Sequence, residues 1–289
     1  MPTQVTANKS SIKGLISGIG LSFIASITGI AGATEHASYV DKPPLLTDAM
    51  GTVVCDNKVR GSAAHILLPT VKNHKKSVLI SAAHILFDKQ TGQAFKHCQY
   101  RPQNKRLSGV DIALSSSTHY DVANTNKIAQ AENDIIFLML DAPLQQPALG
   151  LSQQPENNHF DSLSQLTLVA YNVHQDRIID SDTCSAIKPS QSLSKKLLLH
   201  NCDARAGMSG GAIVDRREGK IVAIHGGALV FDPQSFEGQA YNSKTSLQRY
   251  QVPNEKLTNQ GRLVDVEVIS DLQTFIDSVD KHSKLKKLN

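Results

Sequence analysis

Tryptophan is absent from the 289 residues, and phenylalanine and tyrosine bring the aromatic share to only 5%. No cluster of lysine and arginine is interleaved with aromatics, and the formal charge is a modest +4. Together these exclude a nucleic-acid binder of the basic, base-stacking kind. Cys-x-x-Cys and His-x-x-x-His spacings are missing, so the chain offers no metal site of closely spaced ligands. Helical periods alternating with strands, the mark of a parallel α/β sheet, are missing too. The four lysines between positions 281 and 287 read as a solvated tail rather than a binding patch.

What is present begins with a leader. Lys9 and Lys13 precede an uncharged run from Leu15 to Ile30, and Ala31-Gly32-Ala33 follows. A basic start, an apolar middle and an Ala-x-Ala end describe a secretory signal peptide over residues 1–33. The run is shorter than the ~20 residues that a membrane span needs; an uncleaved anchor is the alternative, and no stable membrane association is expected once the leader is removed. Its removal leaves 28 basic and 26 acidic residues. The expected destination is the periplasm or the extracellular space.

Export gives Cys55, Cys98, Cys184 and Cys202 a meaning, because an even set of thiols then meets an oxidising compartment. Of the three possible pairings, Cys55–Cys98 with Cys184–Cys202 keeps each bond within one half of the chain. Closing the second, shorter loop should stabilise the fold by ~3 kcal/mol if the gain is chain entropy. It also pins the segment ahead of position 209.

The 289 residues are 40% hydrophobic, and the mature chain, 34–289, reads as short apolar runs broken by turn residues. Ile135 to Leu140, Leu166 to Ala170 and Ile221 to Ile224 are examples; runs of this length and composition indicate an all-β sandwich or barrel. Residues 145–160 are polar and carry Pro147 and Pro155, a connector between two halves. One helix is expected at about 270–280, where Leu272, Phe275, Ile276 and Val279 recur at helical spacing behind a capping Ser270. Residues 231–262 form a polar insertion without clear period, and no calcium-ligand spacing lies in it. Ser62 to Leu67 and Ser81 to Leu86 are the same hexapeptide; the expectation is two strands of one hairpin turning at 69–76.

Gly207-Met208-Ser209-Gly210-Gly211 sets one hydroxyl among three glycines, between two apolar runs. Glycine admits φ > 0 and close backbone approach, so such a turn can expose a nucleophile and aim N–H groups beside it. A serine needs an imidazole to take its proton and an acid to orient that imidazole. His65 and His84 are the candidate bases, and Asp134 and Asp111 the candidate acids. Each acid stands just ahead of an apolar strand, where burial obliges it to find a donor.

Ser81-Ala82-Ala83-His84, Asn133-Asp134-Ile135-Ile136 and Gly207-Met208-Ser209-Gly210-Gly211, separated by 50 and 75 residues, resemble the three signatures of chymotrypsin-like (trypsin-family) serine proteases. The resemblance runs from about Gly51 to Val279. It implies two six-stranded antiparallel β-barrels (about 47–145 and 160–268) with a C-terminal helix, and a site in the cleft between them. By the same resemblance Ser209 is the nucleophile, His84 the general base and Asp134 its orienting acid. The N–H groups of Gly207 and Ser209 are implied as the oxyanion hole. Asp203, His225 and Gly226 fall at pocket positions: Asp203 would favour basic side chains, His225 acidic ones, and the two could instead pair. Met208 replaces the aspartate that digestive members carry before the serine, and no Ile-Val-Gly-Gly start is visible, which points to the bacterial-type branch. No cysteine follows His84, and Gly226 stands where the family often has a serine beside the buried aspartate. The implied protein is a secreted or periplasmic serine endopeptidase acting on polypeptides, a monomer without cofactor or metal. The alternative is a protease-fold binding protein that has lost turnover.

Overall fold

In the computed structural model, residues 45–68, 77–153, 165–187, 194–230, 239–240 and 257–285 are described, all within the unit Pro43–Asn289. The leader at 1–33 and the turn at 69–76 lie outside them.

Six strands close a first barrel: β1 (Met50–Cys55), β2 (Lys58–His65), β3 (Val78–Ser81), β4 (Cys98–Pro102), β5 (Val110–Ser115) and β6 (Ile136–Leu140), in the order β1-β2-β3-β6-β5-β4. The β1–β2 hairpin turns on Asp56 (φ 50°) and Asn57 (φ 61°). These are two of the few non-glycine residues that enter the left-handed region at small cost. Cys55 pairs with Cys98 across the β1–β4 ladder, and their sulfurs are bonded. All five residues of β6 are buried, as the unbroken apolar run suggests; each such side chain contributes about 2 kcal/mol by leaving water.

The second half holds β7 (Leu166–Asn172), β8 (Arg177–Asp180), β9 (Leu197–His200), β10 (Ala212–Asp215), β11 (Lys220–Val230), β12 (Gln239–Ala240) and β13 (Leu257–Leu263). Their sheet runs β8-β7-β10-β11-β13-β9, with β12 added to β11. Its two ends are joined by the short segment after β8, in which Cys184 bridges Leu166 and Ala186 bridges His200. This closes a second ring through isolated bridges rather than a full ladder, and the Cys184–Cys202 disulfide ties the same place.

Strand alternation sorts the second half's side chains into two cores. Leu166, Leu168, Ile213 and Val222 point into the ring. Val169, Ala212, Val214 and Ile224 join the first barrel's Val53, Ile80 and Phe137 in one cluster that runs through both halves. Helix α2 (Val266–Leu285) completes that cluster with Val268, Leu272, Phe275 and Ile276. The helix starts earlier than expected. Asp265 Oδ1 accepts the Val268 N–H (3.0 Å) and is the cap, whereas Ser270 lies one turn inside and only lends its carbonyl to Thr274.

The repeated hexapeptide folds in two ways. The first copy continues β2, while the second leaves β3 at Ser81 and enters a 3-10 turn at Ala83–Leu86. Only Ser81 of the second copy lies on β3, the strand that pairs with β2 through Ala64 and Ile80, so the two copies are not two strands of one hairpin. A short helix, α1 (Lys127–Glu132), precedes β6; Asn126 caps it by accepting the Ile128 and Ala129 N–H groups.

Candidate active site

The 3-10 turn after β3 lifts His84 out of the sheet and leaves its side chain 13% exposed. Asp134 occupies the tight connection between α1 and β6, with its N–H on the Ala131 carbonyl, and is 4% exposed. One carboxylate receives two donors from one residue: the His84 N–H reaches Oδ1 at 2.8 Å, and Nδ1 donates to Oδ2 at 2.7 Å. With Nδ1 committed to a carboxylate, the imidazole is held in the tautomer whose Nε2 is an acceptor.

The Ser209 turn is keyed onto the same structure through β2. Gly207 (φ +93°) and Gly210 (φ +78°) take left-handed backbone. The Ser209 carbonyl accepts the Ser62 N–H (2.8 Å), and the Gly210 N–H reaches the His225 carbonyl (2.8 Å). Ser81, three residues before His84, donates its hydroxyl to the Ser62 carbonyl (2.7 Å). A methyl group on Gly210 would overlap that carbonyl and that hydroxyl, and one on Gly61 would meet the Ser209 carbonyl at 2.5 Å and Ile85 Cγ2 at 2.9 Å. The turn bearing Ser209 and the turn bearing His84 therefore rest on two consecutive residues of β2. Among the described residues, the N–H groups of Gly207 and Ser209 and the Ser209 hydroxyl make no protein hydrogen bond.

Met208 is buried with Leu168, Cys184 and Ile213, and its sulfur accepts the Arg205 N–H. The position ahead of the serine is thus an apolar anchor. His65 bonds the Pro147 carbonyl (3.0 Å) in the connector, and Asp111 accepts Gln99 Nε2 (2.8 Å) at the surface. Neither joins His84.

The three pocket positions separate. Asp203 is exposed, its side chain 68% accessible, and is paired with Arg205 at 3.1 Å. His225 is buried against His200, whose Nε2 lies 3.2 Å from His225 Nδ1. Burial, and then the nearby His84, push the His225 pKa down to about 4, against the opposing pull of Asp134 and the Gln260 carbonyl. Burial holds His200 well below its ordinary value as well. Asp203 and His225 thus have different partners and do not pair with each other. Gly226 lines a groove of about 330 Å³ beside His84, walled by Tyr120 and Lys127 and floored by Asp134 and Gln260. Burial and the Asp134 charge raise the pKa of Tyr120. Tyr120 and Gln260 carry no motif; Gln260 belongs to the insertion whose sequence has no period.

No family model and no curated protein matches this chain in sequence. Solved structures do match. A Glu endopeptidase is 11% identical over 79% of this chain and 90% of its own, with a TM-score of 0.53. The protease Anisep from Arthrobacter nicotinovorans is 12% identical over 78% and 94%, at 0.52. Serine protease AL20, from an extremophilic microorganism, is 14% identical over 79% and 94%, at 0.50. At such identities the likeness carries architecture alone, and on that architecture the chain has the chymotrypsin-like fold of the serine proteases.

Proposed function

We propose that the protein is an exported serine endopeptidase. The observation that carries this reading is the two-pronged His84–Asp134 pair, set on the same stretch of β2 as a glycine turn with one hydroxyl. In the proposed reaction Ser209 Oγ attacks the peptide carbonyl and passes its proton to His84 Nε2. The oxygen that becomes negative is met by the N–H groups of Gly207 and Ser209; one such donor contributes about 3 kcal/mol to the transition state. His84 then gives the proton to the departing amine, and the acyl group remains on Ser209. Water, deprotonated by His84, releases the acyl group and restores the hydroxyl. Asp134 stays ionised and stabilises the imidazolium that forms in each half.

Burial of the site's neighbours supports the same reading, since a partly dry cleft strengthens each of these interactions. Two disulfides suit an exported protein. A fluorophosphonate probe, followed by mass spectrometry of the labelled peptide, tests the assignment: label is expected on Ser209 and not in a Ser209→Ala variant. Equal labelling of both overturns it. Turnover of a denatured protein substrate separates the enzyme from a binding protein on the same fold.

A further inference from the structure

The floor of the groove beside His84 contains a group that the reaction above leaves unused. Gln260 stands opposite Gly227 in the β11–β13 ladder and is 4% exposed. A methyl group on Gly226 would overlap Gln260 Nε2 and lie 2.9 Å from Asp134 Oδ2. The amide therefore fills the space that any side chain at 226 would need, next to the carboxylate that holds His84. Its Oε1 has no partner among the described residues. Turning the amide over would set an oxygen against a carboxylate, so chemistry requires Nε2 on that side. Among the described residues Asp134 accepts only the two His84 donors, while an ionised carboxylate has room for about four. A buried charge short of donors is costly.

Resting on the proposed catalytic reading, we infer that Gln260 is a positioning residue for the acid: a small rotation of its side chain lets Nε2 donate to Asp134 Oδ2. The bare Gly226 is the other half of this arrangement, since only glycine leaves the amide its place. The remaining ionisable groups around the pair are Tyr120, Lys89 and Lys127 on the groove walls and His225 beneath it. Burial holds the pKa values of His225 and its partner His200 below the ordinary histidine range.

The test compares wild type, Gln260→Met, Gln260→Ala and the double variant Gln260→Ala with Gly226→Ser. kcat and KM are followed against pH on a fluorescent denatured protein, and His84 is titrated by NMR in the free protein. Gln260→Met keeps the volume and removes the donor. Losing a donor makes the carboxylate more basic, so it grips the imidazolium harder. The acid limb of kcat/KM and the His84 titration should both move up, on the order of one pH unit. kcat should fall roughly tenfold with KM little changed, as for other groups that orient a ligand's partner. In the double variant the new hydroxyl, now free of the amide, should bring both values back. Limbs and titrations that stay in place in Gln260→Met and Gln260→Ala, with wild-type labelling intact, overturn this inference alone. A wild type that takes no fluorophosphonate, but whose His84 titration still moves on Gln260→Met, overturns the hydrolase reading and supports this one.

Discussion

Asp134 takes both a main-chain and a ring donor from His84, which makes it more than a counter-charge. Asp134→Asn would place an amide where Nδ1–H now donates and so favour the wrong tautomer. The expected result is a loss of kcat of about 10⁴-fold, with the far-UV circular dichroism spectrum unchanged; a loss below tenfold would remove Asp134 from the mechanism. Asp203 is a contrasting case. Its place six residues before Ser209 suggested a charged pocket floor, yet its carboxylate is exposed and engaged by Arg205. Asp203→Ala is accordingly expected to leave a peptide-library cleavage profile unchanged, and a collapse of cleavage after Arg or Lys would contradict this placement. His84, Asp134 and Ser209 stood out in the sequence because each sits in a short pattern at a strand end. Gln260 could not, because its environment is made by pairing with β11 and by a bare Gly226, neither of which is a local property.

The twin hexapeptides show the limit of reading elements locally. The six residues are identical, but the first copy extends β2 while the second becomes a 3-10 turn beyond β3. What differs is tertiary: the Ser81 hydroxyl is bound to the Ser62 carbonyl, and the His84 N–H has a carboxylate to meet. Strongly apolar strands such as β6 were visible as runs. Helix α1, with six residues and a single asparagine cap, is too short to show a period. The glycine turn was legible for its composition, and its packing now makes a prediction. Gly210→Ala must strain a left-handed position and overlap both Ser62 and Ser81. A cost of at least about 2 kcal/mol is expected in urea unfolding, together with loss of fluorophosphonate labelling.

Across the whole molecule, His200 and His225 are a buried, neutral pair between β9 and β11. Their pKa values are depressed in the folded state, so below the ordinary histidine range the unfolded chain binds protons that the folded chain refuses. Stability should be flat above about pH 7 and decline between roughly pH 6.5 and 4. For His225 alone the loss is on the order of 3 kcal/mol. Urea midpoints from pH 8 to pH 4 measure this, and His225→Asn should flatten the slope. The two rings of strands were legible as a fold class, but closure of the second through 184–187 was not, since it rests on two isolated bridges. One further contact ties β13 to the loop ahead of β6. Arg262, 2% exposed, donates Nε to the Glu132 carbonyl and Nη1 to the helix cap Asp265. The last strand and the last helix thus brace the short loop on which Asp134 stands. A ribosome has to deliver β13 before this brace on the Asp134 loop can form, so a chain truncated ahead of that strand is expected to take no fluorophosphonate label, however well its earlier strands have closed.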